Sequence, residues 1–269
     1  MIVIPGRVNT LRRTRLFAAV LALLFSAFQV TSAVSAGDAP ETSRNAEFNR
    51  ETPASVLFVG NSFTFYNNSI HTHLRNLLAA VDPAPREDPF LKSMTISGAV
   101  LSDHVRGLEQ MLEQWDWDVV VLQGHSLEAL EESSRESFRE SARSLASMAA
   151  AHGARPVLFM TWAYSNRPEM TPMLDRAYSG LGRELDLTVI PVGLAFDRAL
   201  DEIPGLVLRT ADQKHPTLEG TYLAACVFYA ALWGKSPESL DYTAGLPHDV
   251  AAALRRTAWR TVNNYDGSE

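Results

Sequence analysis

The sequence predicts a three-layer α/β/α protein, with a five-stranded parallel sheet covered by helices on both faces. Two observations carry this. Five short apolar runs alternate with segments of helical apolar spacing, the order that builds parallel sheets through crossover helices. The runs are continuously apolar where they are clearest, as in Val119 to Leu122, which suits strands buried on both faces. Composition agrees: the 269 residues are 46% hydrophobic and 20% charged, an ordinary globular balance.

The chain opens with Arg7, Arg12, Arg13 and Arg15, then the apolar run Leu16 to Val30, then the small-residue triplet Val34-Ser35-Ala36. This is the pattern of a secretory signal peptide over residues 1–36. The uninterrupted apolar stretch is shorter than the ~20 residues of a spanning helix, so no stable membrane span is expected after cleavage. Arg12-Arg13 hints at twin-arginine export. The expected location is therefore periplasmic or secreted. Cleavage removes four arginines and no acid, which takes the formal charge of −7 four units further, to −11. Such a surface disfavours nucleic acid, whose phosphates need Lys and Arg. Residues 37–53 are polar and hold Pro40 and Pro53, a lead-in without periodicity, and residues 54–265 are read as one domain.

The first strand is Ser55 to Val59, which runs into Gly60-Asn61-Ser62. A buried strand entering a tight turn presents one hydroxyl at the carboxyl end of a sheet, where α/β proteins bind ligands. Ser62 is the candidate nucleophile; the competing reading is that it caps the next helix. Asn61 beside it is a candidate for the substrate wall. A helix is expected from Ser69 to Val81, ended by Pro83-Ala84-Pro85. His71 and His73 lie two apart on it and diverge by roughly 200°, without the i, i+4 spacing of helical zinc ligands. They are read as surface or supporting histidines, and no metal motif stands elsewhere.

The second strand is Leu91 to Ile96, ending in Ser97-Gly98 before a helix from Ala99 to Gln114. A glycine there lets backbone approach a ligand and leaves its N–H free. The third strand, Val119 to Leu122, ends in Gln123-Gly124-His125-Ser126, where Ser126 is expected to cap the following helix, Ser133 to His152. The fourth, Pro156 to Thr161, ends in Trp162-Ala163-Tyr164, so Trp162 or Tyr164 is a candidate for the pocket wall, with core packing the competing reading. A helix from Pro172 to Leu185, a fifth strand from Leu187 to Val192 and a helix from Leu194 to Asp201 complete the alternation. A helix from Leu218 to Trp233, expected to turn one face (Leu218, Tyr222, Ala225, Tyr229 and Leu232) inward, and a helix from Asp249 to Val262, expected on the sheet edge, follow. Cys226, the single cysteine, falls in an apolar helical pattern and is read as a core residue.

A serine hydroxyl needs a base, and the base an orienting carboxylate. Asp212-Gln213-Lys214-His215 supplies both across one turn, and Pro216 biases His215 toward extended backbone.

Gly60-Asn61-Ser62, Ser97-Gly98, the strand end at Gln123 and Asp212-x-x-His215, in this order, resemble the SGNH (GDSL-type) hydrolase family over roughly residues 54–234. The third block departs from it: the family has Gly-x-Asn where this chain reads Gln123-Gly124-His125. The resemblance implies the flavodoxin-like strand order 2-1-3-4-5 and ester hydrolysis through an acyl-enzyme. It implies Ser62 as nucleophile, His215 as base and Asp212 as its orienter, with no cofactor. The N–H groups of Ser62 and Gly98 would hold the oxyanion, and Gln123 or His125 would replace the missing asparagine. The expected substrate is a small-molecule or glycan ester, with acetyl groups on carbohydrate foremost. An acyltransferase to a sugar and a non-catalytic carbohydrate-binding protein on the same scaffold are the alternatives.

Overall fold

The computed structural model describes residues 52–81 and 89–267. The expected signal peptide, most of the expected lead-in and Pro83-Ala84-Pro85 lie outside the described residues. Five parallel strands, β1 (Ser55–Gly60), β2 (Phe90–Thr95), β3 (Val119–Leu122), β4 (Arg155–Phe159) and β5 (Thr188–Ile190), form one sheet in the order 2-1-3-4-5. This is the expected α/β architecture. β1 therefore lies inside the sheet, between β2 and β3, with Val59 registered against Met94 on one side and Leu122 on the other. Every residue of β1 is buried, as two-sided cover requires.

The helices are α1 (Ser62–Phe65), α2 (Ile70–Ala79), α3 (Val105–Gln114), α4 (Glu132–Ala151), α5 (Met170–Leu185), α6 (Val192–Glu202), α7 (Leu218–Trp233) and α8 (His248–Asn264). Residues 101–104 form a 3₁₀ turn ahead of α3, so the helix expected from Ala99 begins later. Ser62 heads the four-residue α1, and Asn67, Asn68 and Ser69, all at positive φ, turn the chain into α2. The helix expected from Ser69 to Val81 is α2, and the turn expected at Ser62 is the single helical turn α1.

α7 differs from expectation in kind. Every residue from Gly220 to Trp233 is buried, so it has no solvent face. It is a central helix, packed against α2, α6 and α8, and it carries the buried Cys226, whose thiol burial pushes up to about 12. α8 accordingly rests on α7 and α6 rather than on a sheet edge. Among the described residues, no helix is long and apolar enough to cross a membrane.

Candidate active site

The carboxyl ends of β1, β2, β3 and β4 meet the loop before α7, and each contributes to one constellation. At β1, Gly60 leaves room for its neighbours: a Cβ there would strike Oε1 of Gln123. Asn61 caps α1, its Oδ1 accepting from the Phe63 N–H at 3.2 Å, and this sets Ser62 as the first helical residue. The Ser62 N–H, an orphan donor of the helix start, meets no acceptor among the described residues.

The loop carrying Asp212 and His215 is closed at its base. Arg209 and Pro216 form an antiparallel bridge, and the Thr210 N–H donates to the His215 carbonyl at 2.8 Å. Gln213 turns the chain at φ 73°. Within the loop the Asp212 Oδ1 accepts from the backbone N–H groups of Lys214 (2.9 Å) and His215 (3.0 Å) and from the Thr210 hydroxyl (2.8 Å). Its Oδ2 meets the His215 Nδ1. Burial acts to raise the Asp212 carboxyl, but the His215 ring, the two N–H groups and Thr210 together hold it well below the usual carboxylate range. The imidazole is thereby fixed by its Nδ1 edge, and Nε2 lies 2.8 Å from the Ser62 Oγ. Ser62, His215 and Asp212, 153 residues apart at their extremes, form one hydrogen-bonded chain.

Gly98 stands at φ 71°, at the central position of a turn closed by the Ala99 N–H on the Ile96 carbonyl at 3.2 Å. Its own N–H meets no acceptor among the described residues. The turn is tied to the nucleophile, because Asn61 Nδ2 donates to the Ala99 carbonyl at 3.0 Å.

Gln123 departs from its expected part. Its Oε1 accepts from the Asn61 N–H and the Thr64 hydroxyl, both at 2.9 Å, and its Nε2 donates to Asn61 Oδ1 at 2.9 Å and to the Gly124 carbonyl at 2.6 Å. Turning the amide over would set its NH₂ against the Asn61 N–H, so the orientation is determined. No amide proton remains for an oxyanion, and Gln123 is a buried brace of the nucleophile turn. Asn61 is a brace likewise: it is 2% exposed, its Nδ2 donates to the Ala99 carbonyl, and its Oδ1 accepts from the Phe63 N–H and from Gln123 Nε2.

His125 differs from Gln123. Its Nδ1 receives the Leu127 N–H at 3.4 Å, which leaves the ring proton on Nε2, and Nε2 has no acceptor among the described residues. Burial lowers its basicity, Glu131 opposes this and Lys214 adds to it, so the half-buried ring is held neutral. A carboxylate locates it: Glu128, 2% exposed, accepts the His125 N–H at 2.8 Å and the Leu101 N–H at 3.2 Å. One side chain thus clamps the loop after β3 to the loop after β2, and burial pushes its carboxyl upward against those two bonds.

Trp162 is fully buried. It is the middle ring of a stack, 4.5 Å from Phe63 and 4.3 Å from Phe196, and its indole N–H donates to the Lys214 carbonyl at 2.9 Å. It ties the end of β4 to the histidine loop. Tyr164 is 7% exposed; its hydroxyl pairs with Ser126 Oγ at 2.6 Å, and Lys214 lies over its ring. Ser126 therefore braces Tyr164 instead of capping α4, which begins six residues later.

Three supporting residues carry no sequence motif. Tyr66 lies flat on the His215 imidazole, Phe63 meets that ring edge-on, and Asn67 Nδ2 donates to the Pro216 carbonyl and the Thr221 hydroxyl, both at 2.8 Å. Of the two histidines on α2, His73 bridges the Asn67 carbonyl and the Tyr242 hydroxyl at 2.7 Å each, and His71 meets Ser69 Oγ at 2.6 Å.

No protein-family model and no curated protein matches the chain. Solved structures do. A DUF4886-family protein from Bacteroides uniformis superposes with a TM-score of 0.64 at 19% identity, over 79% of this chain and 95% of that one. A candidate SGNH hydrolase from Slackia heliotrinireducens gives 0.54 at 26% identity, over 66% and 98%. A catalytic mutant of an acetylxylan esterase from Geobacillus stearothermophilus gives 0.53 at 16% identity, over 66% and 93%.

Proposed function

We propose that this SGNH-type hydrolase, a serine esterase, is exported and removes short acyl groups, acetyl foremost, from carbohydrate. The observation that carries the chemistry is the unbroken hydrogen-bond chain from Asp212 through His215 to Ser62 Oγ, with the unpaired N–H of Ser62 at the same turn. Ser62 Oγ attacks the ester carbonyl as its proton passes to His215 Nε2, while Asp212 stabilises the imidazolium. The oxyanion is received by the N–H groups of Ser62 and Gly98 and by Nε2–H of His125. Collapse breaks the bond to the alkoxy oxygen, which takes the proton from His215 and leaves as the alcohol. Water then attacks the acyl-enzyme as His215 takes its proton, and collapse breaks the acyl–Oγ bond, with Ser62 Oγ recovering the proton from His215 Nε2 as the acid is freed.

Export is supported by the arginine-rich start and apolar run of residues 1–36. The carbohydrate ester is supported by that inferred location and by the likeness to an acetylxylan esterase. The test is hydrolysis of p-nitrophenyl acetate and butyrate by the mature chain beside Ser62→Ala, with an organophosphonate label located by mass spectrometry. Turnover and label that both depend on Ser62 support the reading. A folded wild-type chain that neither turns over nor takes label overturns it. Acetyl transfer to an added sugar at the expense of hydrolysis would replace hydrolase by transferase.

A further inference from the structure

Behind the Asp212 loop lies a cavity of about 470 Å³, a size that suits small ligands, between Tyr164, Asp197, Leu206, Val207, Arg209 and Thr210. It shares walls with the site above: Thr210 donates to Asp212, and the Tyr164 hydroxyl holds Ser126 beside His125. Its one cation is unusual. Arg209 is only 7% exposed, yet of its guanidinium only Nε is paired, donating to the Ala163 carbonyl at 2.8 Å above the Phe196 ring. The four N–H bonds on its terminal nitrogens meet no acceptor among the described residues. Those nitrogens open to the cavity, where the guanidinium fork is shaped to take a planar oxygen pair. Asp197 lies near enough to oppose the burial that lowers Arg209, but it forms no ion pair with it, and its Oδ1 accepts from Thr171 at 3.0 Å. The Asp197 Oδ2 is left as an acceptor.

We propose that this cavity binds a uronic acid unit of the glycan substrate, a sugar ring that bears a carboxylate. The carboxylate takes the terminal N–H groups of Arg209, a ring hydroxyl donates to Asp197, and the apolar ring face lies on Leu206, Val207 and Tyr164. Arg209 supplies the specificity, because a neutral sugar leaves its buried charge unpaired. The inference rests on the glycan-ester reading and deepens it.

Calorimetric titration of Ser62→Ala in the full chain with glucuronate, glucose and glucosamine tests it without requiring turnover. Glucuronate is expected to bind at least about tenfold more tightly than glucose, from one charge-assisted pair. Arg209→Lys removes the fork. Val207→Trp fills the cavity from a side chain that is 62% exposed, so the fold tolerates it. Each is expected to abolish the preference. Equal binding of the two sugars, tighter binding of glucosamine, or a glucuronate preference untouched by Val207→Trp overturns the proposal. Wild-type hydrolysis of p-nitrophenyl acetate judges the esterase reading separately, so the two can fail independently.

Discussion

The Tyr66 ring stacks on the His215 imidazole at 4.2 Å, with 10° between their planes. Tyr66 ends the turn of helix that Ser62 begins, so the segment presenting the proposed nucleophile also forms the seat of its proposed base. Asn67 extends the contact by binding the Pro216 carbonyl, one residue past His215. Three successive non-glycine residues, Asn67, Asn68 and Ser69, hold left-handed φ of 49°, 70° and 70° to achieve this. Such conformations cost about 1–3 kcal/mol each and persist where surrounding contacts fix them.

Tyr66→Leu keeps an apolar wall but removes the π face over the imidazolium that forms when His215 takes the proton. A cation–π contact contributes about 0.5–2 kcal/mol, and ~1.4 kcal/mol is tenfold in rate. The expected result is a kcat lowered about 3- to 30-fold with KM little changed, and Tyr66→Phe close to wild type. Steady-state kinetics on p-nitrophenyl acetate checks it. A rise in KM alone would make Tyr66 a substrate contact instead.

Asn67→Ala loses two hydrogen bonds and places a Cβ without polar compensation in the left-handed region. Two bonds at about 0.5–1.5 kcal/mol each predict a loss of about 1–3 kcal/mol in urea unfolding. Asn67→Gly loses the same bonds without the steric penalty and should be about 1 kcal/mol more stable than the alanine variant. Both should lower kcat, because Pro216 and with it His215 lose their anchor. Equal stability of the two variants would mean that the turn stores no strain.

Gln123 and His125 separate by effect. His125→Ala removes a proposed oxyanion donor and should lower kcat by about 100-fold or more with stability nearly unchanged. Gln123→Glu sets a carboxylate oxygen against Asn61 Oδ1 and the Gly124 carbonyl, so stability should fall by about 1–3 kcal/mol. Its activity falls with the folded fraction. If Gln123→Glu is stable and selectively slow, the donor assignments are reversed.

The contrast between these two residues also shows what the sequence could convey. The five strands were legible because β-branched runs buried on both faces have one simple reading, and Asp212-Gln213-Lys214-His215 because a carboxylate and an imidazole three apart meet across a turn. The resemblance supplied the strand order. Gln123, Asn61 and Trp162 were open to two readings for one reason: each stands at the carboxyl end of a strand, where side chains that face ligand and side chains that brace the turns are of the same types. Position along the chain does not say which way an amide points. Tyr66 and Asn67 carried no signal, since their partners His215 and Pro216 lie about 150 positions away. α7 was read as one-sided because its all-round burial depends on α8, whose place only the fold supplies.

The Asp212 carboxyl gives a pH signature. Burial, the largest single influence, acts to raise the carboxyl, but the His215 ring, the N–H groups of Lys214 and His215 and the Thr210 hydroxyl together hold its folded value well below the ordinary carboxylate range. A depressed carboxyl contributes stability that is fully present above the unfolded value and is lost as pH falls through the folded one. The difference in Tm between wild type and Asp212→Asn should therefore be constant from pH 8 to about pH 5 and shrink below the ordinary range near ~4. The same substitution should lower kcat at pH 7 by up to about 10⁴-fold, the loss seen when a triad carboxylate becomes an amide and the imidazole tautomer is no longer held. Paired thermal melts and rates over this range check both. A Tm difference that grows toward acid pH would mean that the Asp212 carboxylate destabilises its loop, and the Asp212 to His215 hydrogen bond would then not be the element that fixes the imidazole.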